Sequence, residues 1–106
     1  MDLAVLCYRI SKQFPKDELF GLTSQIRRSS SSVAANVAEG HGQENSGSFV
    51  QFLRIAQGSL KETETHLILA GRVEIANQVQ LDAAVKQCEE IGRMLRSLIR
   101  SIQAKQ

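Results

Sequence analysis

The feature that most narrows what this chain can fold into lies near its C-terminus. Leu81, Ala84, Cys88, Ile91, Leu95, Leu98 and Ile102 advance by alternating steps of three and four. That is the heptad pattern of one long helix with a single apolar seam. Such a seam needs other helices to cover it, and the rest of the chain supplies them. Leu3, Leu6, Cys7, Ile10 and Phe14 share one helical face. So do Leu19, Leu22, Ile26, Val33 and Val37. A third run carries Phe49, Phe52, Leu53, Ile55, Ala56, Leu60, Leu67 and Leu69. No period-two pattern is long enough to compete as a strand.

Local signals divide these runs. Pro15 disfavours helical geometry at Phe14 and stops the first. The periodicity predicts helices over about residues 2–13, 17–39, 47–70 and 78–103 of a single domain spanning 1–106. Four successive serines, Ser29–Ser32, fall inside the second run and would ordinarily mark a loop. The apolar phase is kept across them, because Ile26 and Val33 are seven residues apart. They are therefore expected to be helical, with small side chains that let another helix come close. Gly40 is expected to end the second helix in the left-handed C′ conformation, and Gly71 to end the third. Ser46 or Ser48 is the expected cap of the third helix, and Asn77 with Gln80 resembles a capping box for the fourth. Gly58, in mid-helix, is expected at a close helix–helix contact. The fold class is all-α: an antiparallel up-down-up-down four-helix bundle. An open three-helix arrangement is the alternative.

Composition sets the remaining bounds. Apolar residues make up 42% of the chain and charged residues 23%, enough for a core and against disorder. The net charge of +2 is mildly basic. Cys7 and Cys88 lie far apart and outside any CxxC, so free, buried thiols in a reducing compartment are expected. The opening residues MDLAVLCYRISK have an acidic second position and no long apolar run, neither a signal sequence nor a membrane span. The expectation is a cytoplasmic protein with no membrane partner.

Enzyme motifs are absent: there is no GxGxxG, P-loop, HExxH or GxSxG. Glu62 and His66 are four apart, but a di-iron bundle would need Glu-x-x-His on two helices. Only His41 and His66 exist, and neither has a glutamate three residues before it. No catalytic residue, metal site or cofactor is expected.

Two polar constellations remain. On the second helix, Gln25, Arg28, Ser32, Asn36 and Glu39 share one face, and antiparallel pairing brings Arg28 opposite Gly58 to Glu62. An Arg28–Glu62 contact is expected, within a partly buried polar seam of Gln25, Arg28, Asn36, Glu39 and Glu62 that fixes register or seals a subunit contact. The alternative is a solvated face. On the fourth helix, Lys86, Arg93 and Arg100 are spaced by seven, with Arg96 between the last two. These cations could hold phosphates, with affinity falling steeply in salt. Arg27, Arg28 and Arg54 add to the field. Glu89 and Glu90 interrupt the stripe, and aromatic residues for base stacking are few. Here too the alternative is a solvated face.

The stretch QIRRSSSSVAANVAEG, with Phe14-Pro15, Gly21-Leu22, Phe52-Leu53, Ile55-Ala56, Gly58-Ser59-Leu60, Glu62, Glu64-Thr65 and Leu67, resembles the four-helix-bundle family of 23S rRNA intervening-sequence proteins. That family is similar to the accessory variability determinants of diversity-generating retroelements. The resemblance implies a non-enzymatic protein assembled as a homopentameric ring. Through the retroelement branch it implies RNA or DNA and a reverse transcriptase as partners. Gln51 and Gln57 stand where relatives commonly carry a basic residue, Ser48 where glutamate is frequent, and Thr63 where leucine is usual. The first two weaken the basic field, and threonine at 63 places a hydroxyl in the contact between the second and third helices. A ring needs a second face, for which Val5, Ala34, Ala35, Ala38 and Ile68, outside the main seams, are the candidates.

Overall fold

The computed structural model describes residues 1–105. It contains α1 (Asp2–Ser11), α2 (Ser24–His41), α3 (Ser46–Arg72) and α4 (Gln78–Ala104). A 3-10 turn at Lys16–Glu18 and a π-type turn at Leu19–Thr23 join α1 to α2. No strand occurs among the described residues.

Cross-helix contacts fix the directions. Ser11 meets Arg27 and Cys7 meets Ser30, so α1 and α2 run oppositely. Ser29 meets Thr63 and Ser32 meets Ser59, so α2 and α3 do too. Leu60 lies beside Gly92 and Gly71 beside Gln78, which sets α4 against α3. Gln13 bonds Gln80 and Cys7 adjoins Cys88, which brings α4 back to α1. The result is an up-down-up-down square with extents of 47 × 22 × 17 Å. Its core is built on Ile10, Ile26, Leu53 and Leu67, all without exposed surface.

The helices are unequal. At 1.5 Å per residue, α1 is about 15 Å long and α4 about 40 Å. α1 accompanies α4 from Gln80, which bonds Gln13, to Ile91, which shares a groove with Met1 and Leu3. Beyond Ile91, α4 continues to Ala104 without it.

The serine run is helical, as its phase required. Each hydroxyl has a partner. Ser29, Ser30 and Ser31 donate back to carbonyls one turn earlier, at 3.4, 3.3 and 2.8 Å, and Ser32 bonds Ser59 across the contact at 2.8 Å. Satisfied in this way, the serines do not compete for the helix backbone.

Several boundaries differ from the sequence reading. α1 ends at Ser11, and Gln13 and Phe14 follow in tighter i→i+3 bonds to Ile10 and Ser11. The second helix does not start at Asp17 as one α-helix. Gly21 (φ −104°, ψ −110°) breaks the helical path, and α2 proper begins at Ser24. That break turns Leu19 outward, to 51% exposure. Ile55 and Leu69 are also exposed; they lie two heptads apart on the outer side of α3. In α4, Leu81, Ala84, Cys88 and Leu95 are buried as the heptad predicts, and Ile91, Leu98 and Ile102 pack half-buried against the core, but Ile99 is the fully buried residue at the far end. A straight helix of 3.6 residues per turn drifts off a seven-residue repeat, and the seam moves to the next residue.

The glycine assignments also change. Gly40 is not a left-handed C′ residue. α2 runs to His41, and Gly40 is buried where a Cβ would meet the Phe49 ring at 3.0 Å. Phe49 packs over it and against His41, with ring centroids 4.8 Å apart. Gly58 faces open space rather than a neighbouring helix. α3 passes through Gly71 and ends in a Schellman motif. Ile75 N–H donates to Ala70 and Glu74 N–H to Gly71, both at 3.2 Å, with Glu74 at φ 58° in the left-handed position. Asn45, not Ser46 or Ser48, caps α3 by accepting from Ser48 N–H at 2.8 Å. At α4, Asn77 accepts from Gln80 N–H at 3.0 Å, half of the expected capping box. The other half comes from a different helix end, since Gln13 accepts Asn77 N–H at 2.8 Å.

Candidate nucleic-acid interface

The heptad buries one side of α4 and leaves its cations outside that seam. Lys86, Arg93, Arg96 and Arg100 are all exposed. None of the four is in an ion pair among the described residues. They are not equivalent. Asp82 and Glu90 stand one turn either side of Lys86. From Ile91 to Lys105 there is no carboxylate, and Arg93, Arg96 and Arg100 are joined by Lys105. The positive charge is therefore concentrated at the end of α4 that α1 does not reach.

Arg96 folds back along its own helix, its Nη1 lying over Gly92. It forms one wall of a groove of about 240 Å³ between α3 and α4, with Lys61, Glu64 and Gln57 opposite and Cys88 at the floor. Lys61 Nζ is 3.5 Å from Glu64 Oε1, so one groove cation is partly neutralised. Burial pushes the Cys88 thiol up to about 12, helped by the negative charge of neighbours that include Cys7 and Glu64. Burial likewise raises Cys7 to about 11, against a lowering hydrogen bond from Ser30. Both cysteines are free and buried, and both are protonated at neutral pH.

Arg27 lies apart from this surface. Its Nε donates to Ser11 Oγ at 2.8 Å, and its guanidinium sits 4.7 Å over the Tyr8 ring. That is the α1–α2 edge of the square, opposite the α3–α4 edge that holds Arg96.

The Arg28–Glu62 contact forms, with Nη2 3.4 Å from Oε2. Its side chains are 68% and 50% exposed, so the pair is solvated and contributes little to stability. His66 Nε2 lies 3.9 Å from the same carboxylate oxygen. Asn36 donates to Ser32 O at 2.8 Å and Ser32 Oγ at 3.0 Å. Gln25 and Glu39 are exposed and form no side-chain hydrogen bond among the described residues. The buried part of the seam lies one step inward, at Ser29 and Thr63, with half-buried Ser32 and Ser59 beside them. The spacing of polar residues finds the side of α2 that faces α3. It does not tell the inner hydroxyls from the outer charges.

One group of side chains escaped the sequence reading. Tyr8 (46% exposed) and Phe20 (93%) line a cleft with Leu19, Arg27 and Arg28. Phe20 stands beside Gly21, and the helical interruption there is what turns it outward. Its sequence signal was its place outside every apolar stripe.

Among the described residues, no cluster of three or more His, Cys, Asp or Glu side chains could hold a metal ion. No helix among them is long and apolar enough to cross a membrane.

The chain is similar to a solved protein with unknown function from the S23 ribosomal protein family of Bacteroides thetaiotaomicron VPI-5482. The two are 29% identical over 92% of each chain, with a TM-score of 0.85. No curated protein gives a significant match. The sequence model of the 23S rRNA-intervening sequence protein family matches residues 1–97. With a match of that extent, this four-helix chain belongs to the 23S rRNA-intervening sequence protein family.

Proposed function

We propose that the protein is a non-enzymatic, oligomeric accessory protein of the cytoplasm that binds RNA or DNA through the arginine end of α4. The observation that carries this reading is the stretch Ile91–Lys105. It presents Arg93, Arg96 and Arg100 to solvent with no carboxylate among them. Arginines that neutralise phosphates there would release the cations condensed on the nucleic acid, so binding weakens steeply with salt. The experiment is filter binding to RNA, DNA and hybrid duplex at two salt concentrations. The triple variant Arg93→Gln/Arg96→Gln/Arg100→Gln should bind more weakly and flatten the salt slope by about 0.7–0.9 per lost contact. No wild-type binding at low salt would end the proposal.

We infer a homo-oligomer, with the pentameric ring that the family resemblance implies as its form. Support comes from a groove of about 320 Å³ past the start of α1, lined by Leu3, Ala4, Val33, Ala34, Val37 and Ala38. Its small side chains admit a close-packed neighbour, and Val5 and Ile68 are exposed elsewhere on the surface. A ring would repeat the α4 cations around its axis. A monomeric mass by light scattering would rule it out.

A second reading is a protein-interaction module that docks a partner such as a reverse transcriptase without touching nucleic acid. It is favoured by Val79 and Met94, 77% and 68% exposed on α4. The likeness to accessory variability determinants of diversity-generating retroelements supports that partner. A purified reverse transcriptase that is retained after nuclease treatment would select it over the first reading.

A further inference from the structure

The chain has five aromatic residues of the Phe and Tyr type. Phe14 is buried, and Phe49 and Phe52 are half-buried. The remaining two, Tyr8 and Phe20, are exposed, and both open onto the same cleft between α1 and the start of α2. Arg27 and Arg28 line it with them. Its volume of about 500 Å³ is within the roughly 300–1,000 Å³ typical of small-ligand sites.

Each part is held in a usable position. Arg27 is fixed between the Tyr8 ring and Ser11 Oγ, and Ser11 in turn donates to Tyr8 O at 3.0 Å. Its cation is therefore pre-placed beside an aromatic surface. Arg28 is tied only to Glu62, by a solvated 3.4 Å contact that a phosphate could outcompete. Phe20 projects from the break at Gly21, and Glu18 Oε1 secures that turn by accepting Leu22 N–H at 3.4 Å. The Glu18 side chain borders a different cavity, with Gln25 and His66, and is not among the residues that line this cleft.

We propose that this cleft binds one unpaired nucleotide of a single-stranded nucleic acid, with the base stacked on Phe20 and its phosphate held by Arg27 and Arg28. The proposal rests on the nucleic-acid reading above and adds the form of the ligand. Two arginines select an anionic ligand over an apolar peptide. A stacking ring needs a base freed from its neighbours, which a duplex does not offer. The α4 arginines, on the opposite edge of the square, have no exposed aromatic beside them and meet phosphates of either form.

Phe20 is almost fully exposed, so its replacement should not disturb folding, and the chain has no tryptophan of its own. The full chain is titrated with a 12-nucleotide uridine RNA, the equivalent thymidine DNA and a duplex of the same length. Phe20→Ala should weaken single-strand binding about 5- to 150-fold and leave duplex binding unchanged, given the usual contribution of one stacked base. Phe20→Trp should bind normally, and its emission should be quenched by the single strands but not by the duplex. RNA and DNA arms that differ identify which polymer the cleft prefers. If wild-type protein binds no nucleic acid at low salt, the underlying reading fails. If it binds duplex and single strand but Phe20→Ala leaves their ratio unchanged, this inference alone is overturned. A changed mass of Phe20→Ala by light scattering, at unchanged ratio, would also overturn it and assign Phe20 to contact between copies.

Discussion

Thr63 Oγ1 lies 2.9 Å from Ser29 Oγ, and the two hydroxyls meet in the centre of the α2–α3 contact without exposed surface. Ser59 O is also 2.9 Å from Thr63 Oγ1, whose single proton serves one of the two acceptors. Ser29 passes its own proton to Ile26 O. Thr63→Val removes the donor at nearly constant volume and should cost about 1 kcal/mol in urea unfolding. The double variant Ser29→Ala/Thr63→Val should cost less than the sum of the single changes, because it removes both partners of one bond.

Gly58 has no heavy atom within 4 Å of where its Cβ would be. Gly58→Ala should therefore stabilise α3 by about 0.5–1 kcal/mol, the helix-propensity difference alone. A loss of stability in thermal unfolding would show that this open side of α3 is covered in the assembled protein.

Glu74 holds a left-handed backbone that a glycine would adopt without strain. Glu74→Gly should raise stability by about 1 kcal/mol. The measurement is the urea midpoint at unchanged slope.

The two thiols give a prediction in alkali. Their folded-state values stand at about 11 for Cys7 and about 12 for Cys88, above the ordinary 9.0. Below pH 9 both states keep the protons, and the thiols add no pH dependence. Above it the unfolded chain loses them first, so stability falls as pH rises toward 11 or 12, by up to about 1.4 kcal/mol per pH unit for each thiol. Cys88→Ala should make that fall shallower, as read from unfolding curves between pH 8 and 10.5. Neither native thiol should react with a disulfide reagent at neutral pH.

Four helices, their order and the Arg28–Glu62 register were legible because apolar phase and loop length leave few alternatives. The ends were less so. Gly40 and Gly71 look like helix stops in sequence, but one makes room for Phe49 and the other lies within α3, while the left-handed turn falls on Glu74. A residue that serves as a packing gap and one that serves as a turn have the same letter. The charged surface was legible as a stripe, whereas Arg27 was grouped with it on charge alone. Its separation depends on which edge of the square each helix face meets. For Phe20 the sequence offers only its place outside every apolar stripe, since its exposure follows from the local break at Gly21.

The short α1 has a consequence for motion. Up to Ile91, α4 is flanked by α1 as well as α3; past it, the helix loses one of its two main neighbours. Backbone amides along α4 should then exchange with deuterated solvent along a gradient, slow through Leu81–Cys88 and faster toward Ile102. The last turns would open in partial unfolding that leaves the rest intact. An anion or a neighbouring chain bound at those turns would level the gradient, so exchange rates report occupancy of the arginine end without any label on the ligand.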